Sequence, residues 1–242
     1  MKTKVKKPTI SFFCPAFYDE KNLPLLIPKA VEVLKKNAEK FEIIIIEDKS
    51  PDDTARVSDE LAIKFKPYVK VVHHRKNHGY GGALISGFDH ANKYSYVFYT
   101  DGDMQYDVGE LELFLPYLAR YDVIIGYRSK RALGLTRTIQ TKLFNMIVTA
   151  LFGLRVKDIN CSMKIIKRSA LKNIKLTSNG GFIDAELLIK LRKLNYNIKE
   201  IEVSHFPRYF GKASGGKPKI ILQTILEMIK FYFKKTKYRN IL

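Results

Sequence analysis

From Thr9 to Gly126 the chain alternates short, continuous apolar runs with longer amphipathic segments, and few folds accept that pattern. Thr9–Pro15, Phe41–Glu47, Val69–His73, Ser95–Thr100 and Asp122–Gly126 read as strands; the second contains Ile43 to Ile46 in succession. Leu23–Ala38, Thr54–Phe65, Gly81–Asn92 and Glu110–Arg120 read as the helices between them. A strand that is apolar at every position must be covered on both faces, so the pattern predicts an α/β fold with a mostly parallel central sheet and helices on both sides. Ligands of such sheets bind beyond the carboxyl ends of the strands. Pro15, Asp48, His78–Gly79 and Asp101–Asp103 all fall there.

After residue 126 the alternation loosens. A helix near Thr138–Phe152, a short strand at Lys164–Lys167, a helix over Asp184–Leu194 and an extended Ile198–His205 precede a Gly-rich loop. A last helix begins at about Lys219. No repeat or low-complexity linker divides the chain, and 242 residues suit one domain.

Composition narrows the partners. Lys and Arg number 43 against 24 Asp and Glu, a net charge of +19, which favours nucleic acid, anionic lipid or phosphorylated substrates unless it is a solvated basic face. No recognition helix, zinc or aromatic RNA-binding signature accompanies the charge, so nucleic acid is not an expected partner. Cys14 and Cys161 are isolated thiols in apolar surroundings, which fits a reducing compartment. No secretory signal precedes Pro8, and no apolar run approaches the ~20 residues of a spanning helix. The expected location is the cytoplasm, with peripheral attachment to the cytosolic face of a membrane.

Asp101-Gly102-Asp103-Met104-Gln105 follows a strand directly. Two carboxylates two residues apart at a strand end can reach one hard cation, Mg2+ or Mn2+, that bridges a diphosphate. Asp103 reads as surface-facing. The same sequence also makes an ordinary turn. Glu47-Asp48-Lys-Ser-Pro-Asp-Asp-Thr54 likewise follows a strand and opens a helix. Its later residues suit capping, whereas the pair Glu47–Asp48 could accept hydrogen bonds from a base or ribose. Gly79, Gly81 and Gly82 suit either a phosphate cradle or close packing at a helix start.

Pro15-Ala-Phe-Tyr-Asp-Glu, Glu47-Asp48-Lys-Ser-Pro-Asp-Asp-Thr, Asn77-His-Gly-Tyr-Gly-Gly, Asp101-Gly-Asp-Met-Gln, Gly126-Tyr-Arg-Ser-Lys, Asp158-Ile-Asn-Cys-Ser-Met-Lys and Gly181-Phe-Ile-Asp-Ala-Glu occur in that order. In this the chain resembles the GT-A glycosyltransferases of family 2, and within them the dolichyl- and polyprenyl-phosphate sugar transferases. The resemblance implies a Rossmann-like nucleotide-binding domain over residues 1–218, and the polar spacing beyond it reads as a separate amphipathic basic helix over 219–242. It implies a nucleotide-sugar donor held by Pro15, Phe17, Asp19, Ile46, Asp48, His78, Gly79, Asp101, Gly102, Arg128 and Arg208. It implies Mg2+ or Mn2+ on Asp101, Asp103 and Gln105, with Arg128 and Arg208 near phosphate.

The implied reaction is inverting. A lipid-phosphate acceptor needs no general base, whereas a sugar or protein hydroxyl does. Asp184 and Glu186 are the candidates for that base, or simply favourable anions at a helix start. Three departures stand out. Asp19 replaces a usual Glu, with Glu20 able to substitute; Ser162 replaces a common Gly; and Ser214 lies one residue late in its loop.

In the last helix Lys219, Gln223, Glu227, Lys230 and Lys234 make one narrow polar stripe. The remaining apolar arc is about twice the ~100° that a single core contact requires. Such a helix suits a membrane surface, a membrane partner protein, a homodimer, or burial against the catalytic domain. Lys234, Lys235, Lys237 and Arg239 follow where anionic headgroups would meet them.

Overall fold

Phe12 and Phe13, adjacent in sequence, are both wholly buried, in different cores. The computed structural model describes residues 7–128, 135–211 and 218–237. Seven strands form one sheet: β1 (Thr9–Ala16), β2 (Lys40–Glu47), β3 (Val69–His73), β4 (Tyr96–Tyr99), β5 (Val123–Tyr127), β6 (Lys164–Lys167) and β7 (Ile198–Glu202), in the order β3-β2-β1-β4-β6-β5-β7. All pairs are parallel except those of β6, which runs antiparallel to both β4 and β5. Ile43 and Ile45 enter one apolar layer with Phe12, and Ile44 and Ile46 the other with Phe13. Successive side chains of a strand point to opposite faces, so an unbroken isoleucine run is what a doubly covered strand needs.

Helices α1 (Leu23–Asn37) and α2 (Thr54–Lys64) cover the Phe12 face. Helices α3 (Gly79–His90), α5 (Leu135–Phe152), α7 (Ile183–Lys193) and α8 (Pro218–Lys237) contribute to the Phe13 face. The helix expected over Glu110–Arg120 is broken: a 3-10 turn at Val108–Glu110, α4 (Leu111–Phe114) and a second 3-10 turn at Leu115–Tyr117 replace it. Pro116 has no N–H to continue an α-helix, which accounts for the break. A short α6 (Arg168–Leu171) lies in a stretch to which the sequence reading assigned no element. Ser129, Lys130, Ser214, the glycines at 215 and 216, and Arg239 fall outside the described residues.

Candidate active site

The parallel pairing Ala16↔Glu47 and Phe13↔Tyr99 brings the loops after β1, β2 and β4 to one edge of the sheet. Gly102 sits where two of them touch: a Cβ there would lie 2.7 Å from the Pro15 carbonyl oxygen and 3.1 Å from Asp19 Oδ2. No larger residue fits, and the close approach places Asp19, Asp101 and Asp103 in one cluster. Asp101 Oδ2 accepts the Ser162 hydroxyl, while its Oδ1 is buried with no partner. Asp103 Oδ1 accepts the Gln105 N–H at 3.0 Å, and Oδ2 is paired with Arg208 Nη2.

Asp103 is therefore not surface-facing; it is only 4% exposed, because the loop after β7 lays Arg208 across it. Burial pushes the Asp101 carboxyl up to about 7, with Asp103 and Asp184 adding to the rise and Ser162 opposing it. Burial also raises Asp103, against the pull of Arg208, and raises Asp19 against hydrogen bonds from Phe17 and Asn22. Crowded, poorly solvated carboxylates of this kind are short of positive charge. Among the described residues no group of three or more His, Cys, Asp or Glu is arranged to hold a metal ion. A cation on Asp101 and Asp103 would complete its coordination from phosphate oxygens and water, as Mg2+ commonly does. The unpartnered Asp101 Oδ1 fits such an ion. Gln105 donates its amide nitrogen to the Phe206 carbonyl at 3.3 Å.

The base-side residues divide. Phe17 and Tyr18 are exposed beside Asp19, and Tyr18 holds a left-handed φ of 61°. Pro15 is half-buried at the end of β1. Ile46, by contrast, is wholly inside the core, so its side chain does not reach a ligand. Strand alternation sends it to the α3 face. Asp48 is 3% exposed and accepts the His78 and Gly79 N–H groups, each at 2.8 Å, with His74 Nδ1 2.6 Å away. The glycine-rich turn thus cradles the protein's own carboxylate at the start of α3. Gly81 answers to packing, since a Cβ there would meet the Ser178 carbonyl oxygen at 2.5 Å. Glu47 accepts the Ser50 N–H and meets His73, and Glu20 accepts the Asp53 N–H at the start of α2.

Arg128 spends its fork on Asp158: Nε to Oδ2 at 2.6 Å and Nη2 to Oδ1 at 2.9 Å. Asp184 is 3% exposed and accepts from Lys164 Nζ, the Tyr99 hydroxyl at 2.8 Å and the Tyr80 hydroxyl at 3.2 Å. Glu186 lies elsewhere. Its wholly buried carboxylate binds the Thr177 and Ser178 N–H groups and Lys190, anchoring the segment before α7. Sequence reasoning assigned no role to Ser162, Lys164, Tyr80 or Asp158. A signal existed for Lys164: a lone ammonium beside Ile165 and Ile166 needs a buried counter-ion.

A mostly parallel sheet with acidic loops at its carboxyl edge is an α/β fold of the GT-A type. Solved structures agree on the fold: glucosyl-3-phosphoglycerate synthase from Mycobacterium tuberculosis, in complex with Mn2+, UDP and glucosyl-3-phosphoglycerate, superposes with a TM-score of 0.69 at 17% identity, covering 92% of this chain and 79% of that one. The same enzyme with Mg2+ and UDP gives a TM-score of 0.69 at 15% identity, over 92% and 79% of the two chains. The chain belongs to glycosyl transferase family 2, whose model matches residues 13–175; it is a glycosyltransferase. An uncharacterized protein of Methanocaldococcus jannaschii is 32% identical over 90% of this chain and 97% of its own length. The undecaprenyl-phosphate 4-deoxy-4-formamido-L-arabinose transferase of Pectobacterium atrosepticum is 27% identical over 84% of this chain and 62% of its own. That of Photorhabdus laumondii is 24% identical over 90% and 66%. The chain thus spans a little under two thirds of these two transferases.

Proposed function

We propose that this glycosyltransferase moves a sugar, with inversion, from a nucleotide-diphosphate sugar to a polyprenyl phosphate at a membrane surface. The observation that carries the acceptor is the state of the two candidate bases. Asp184 is saturated by a buried ammonium and two tyrosine hydroxyls, and Glu186 is turned into the Thr177–Ser178 segment. Neither carboxylate keeps an oxygen without a hydrogen-bond partner with which to meet an acceptor hydroxyl. A phosphate acceptor is already an anion and needs no base. The names of the undecaprenyl-phosphate transferases among the relatives point the same way.

In this reading Pro15, Phe17 and Asp19 border the nucleotide, and Asp101 and Asp103 face the diphosphate. Asp48 acts indirectly, fixing the start of α3. Mg2+ or Mn2+ held by Asp101 and Asp103 would neutralise charge developing on the leaving diphosphate. Arg208 supplies positive charge to phosphate from the loop after β7. Arg128 orders that side of the site through Asp158. The acceptor phosphate oxygen forms the new bond to the anomeric carbon as the bond to the diphosphate breaks.

The membrane placement rests on how α8 is mounted. Glu227 Oε1 accepts the Gly180 N–H at 2.8 Å, and a Cβ on Gly181 would lie 2.9 Å from Thr224 Oγ1. The polar side of α8 therefore meets the domain, while Leu222, Ile225, Leu226, Ile229 and Phe233 face outward. Part of the apolar arc does pack on the domain, Met228 in its core and Phe231 against Phe152 and Phe182. Lys219 and Lys230 are exposed beside that arc, which suits an anionic bilayer surface. The side chains of Lys234, Lys235 and Lys237 are outside the described set. No described helix is long and apolar enough to cross a membrane. Residues 219–242 act in this proposal as a docking segment for residues 1–218.

The test is a transfer assay with UDP-, GDP- and dTDP-sugars and Mn2+ or Mg2+, offering undecaprenyl phosphate, undecaprenol or a sugar acceptor. Label should move to the lipid phosphate alone and stop in EDTA. Transfer to a hydroxyl with none to the phosphate overturns the acceptor.

A further inference from the structure

The two arginines of the site are held in opposite ways. Arg128 grips Asp158 with two nitrogens and is 9% exposed. Arg208 meets Asp103 through Nη2, while its Nε is buried with no partner at all. Guanidinium–carboxylate pairs are strongest as two-pronged forks, so the second pair is the weaker and more exchangeable. The loop after β7 is clipped near its start, by the Phe206 N–H on the Gln105 carbonyl at 2.9 Å and by His205 edge-on to Tyr106. Beyond the clip, Tyr209 and Phe210 are exposed and Gly211 has a φ of +81°.

The oxygens on offer show what Arg208 obstructs. Asp101 presents Oδ1 unpartnered, whereas both oxygens of Asp103 are taken, one by the Gln105 N–H and one by Arg208. A divalent ion on Asp103 competes with the guanidinium for the same carboxylate, whereas Asp101 Oδ1 has no protein partner to displace.

We propose that Arg208 is an exchangeable counter-ion: it neutralises Asp103 until a divalent cation takes that carboxylate, and it then transfers to a phosphate. The inference rests on reading Asp101 and Asp103 as the cation site. Its consequence is binding order. The cation that arms the site also releases the arginine that recognises phosphate, so phosphate binds well only after the cation. A guanidinium between a carboxylate and a phosphate has two anionic partners and a ready path from one to the other.

The test is Mn2+ binding to the full-length, metal-free protein, read from the electron-paramagnetic-resonance signal of free Mn2+. With Mn2+ alone, Arg208→Gln should bind more tightly than wild type, on the order of tenfold for loss of one unit charge beside the ion. Arg208→Lys should lie between, because an ammonium pairs with Asp103 as a point charge. With Mn2+ saturating, Arg208→Gln should bind a phosphate ligand more weakly than wild type. UDP and a short-chain prenyl phosphate are titrated separately to tell which phosphate receives the arginine. Asp103→Asn is the reference. Mn2+ binding unaffected by Asp103→Asn overturns the cation site and the exchange with it. An ion that Asp103→Asn releases, but that neither Arg208 variant binds more tightly, overturns the exchange alone. Phosphate affinities untouched by Arg208→Gln also overturn it.

Discussion

Ser162 donates its hydroxyl to Oδ2 of Asp101 and so decides which oxygen of that buried carboxylate stays free. A group that orients a metal ligand is commonly worth ~10-fold or more in metal affinity. Ser162→Ala should weaken Mn2+ binding by about that factor, leave the melting temperature near wild type, and be rescued by Ser162→Thr. A Mn2+ titration beside a melting curve checks this, and unchanged affinity in the alanine variant removes Ser162 from the site.

Lys164 and Asp184 form a buried pair, 0% and 3% exposed. Lys164→Met should destabilise the protein by about 3–5 kcal/mol, because it strands a buried charge. Lys164→Met combined with Asp184→Leu should recover much of that loss, since apolar replacement of a whole buried pair is often neutral. Urea unfolding measures both. A double variant as unstable as the single one contradicts the pairing.

His73, at the end of β3, bridges Asp59 on α2 and Glu47 at the end of β2. Partial burial lowers its proton affinity, but the two carboxylates outweigh that and raise it above the ordinary 6.5. A raised folded-state value means that protonated His73 stabilises the fold. That contribution is complete below 6.5 and is lost as pH climbs through the raised value. Thermal stability should therefore decline on going from pH 6 to pH 8, and His73→Gln should flatten that slope. The ring is 41% exposed, so the effect is modest. Identical slopes in both proteins exclude the bridge as the cause.

On α8, Leu226 is 57% exposed and Glu227 is bonded to Gly180. Leu226→Asp should abolish co-sedimentation with anionic liposomes while changing stability little. Glu227→Ala should cost roughly 1–3 kcal/mol of stability by leaving the Gly180 N–H unpaired. If Leu226→Asp destabilises the protein and Glu227→Ala does not, the helix is mounted the other way round.

Much of the fold was legible from neighbours in sequence. The Ile43–Ile46 run is a doubly covered strand because side chains alternate by face, and the broken Glu110–Arg120 segment contains the proline that breaks it. Strand ends carrying Asp48, Asp101 and Asp103 likewise follow from local pattern, as does the wide apolar arc of α8. What no local pattern contains is the partner of each charged group. Asp48 was available to read a base until His78 and Gly79 took it, and Asp184 could serve as a base until Lys164, Tyr99 and Tyr80 filled its oxygens. Arg128 faces Asp158 and Arg208 faces Asp103, although motif position alone makes the two arginines equivalent. Periodicity is written within one turn or one strand, and the sequence determines it. Hydrogen-bond and ion-pair partners come from 20 to 105 positions away in the chain, so only the folded sheet and its loops decide which oxygens remain free for a ligand.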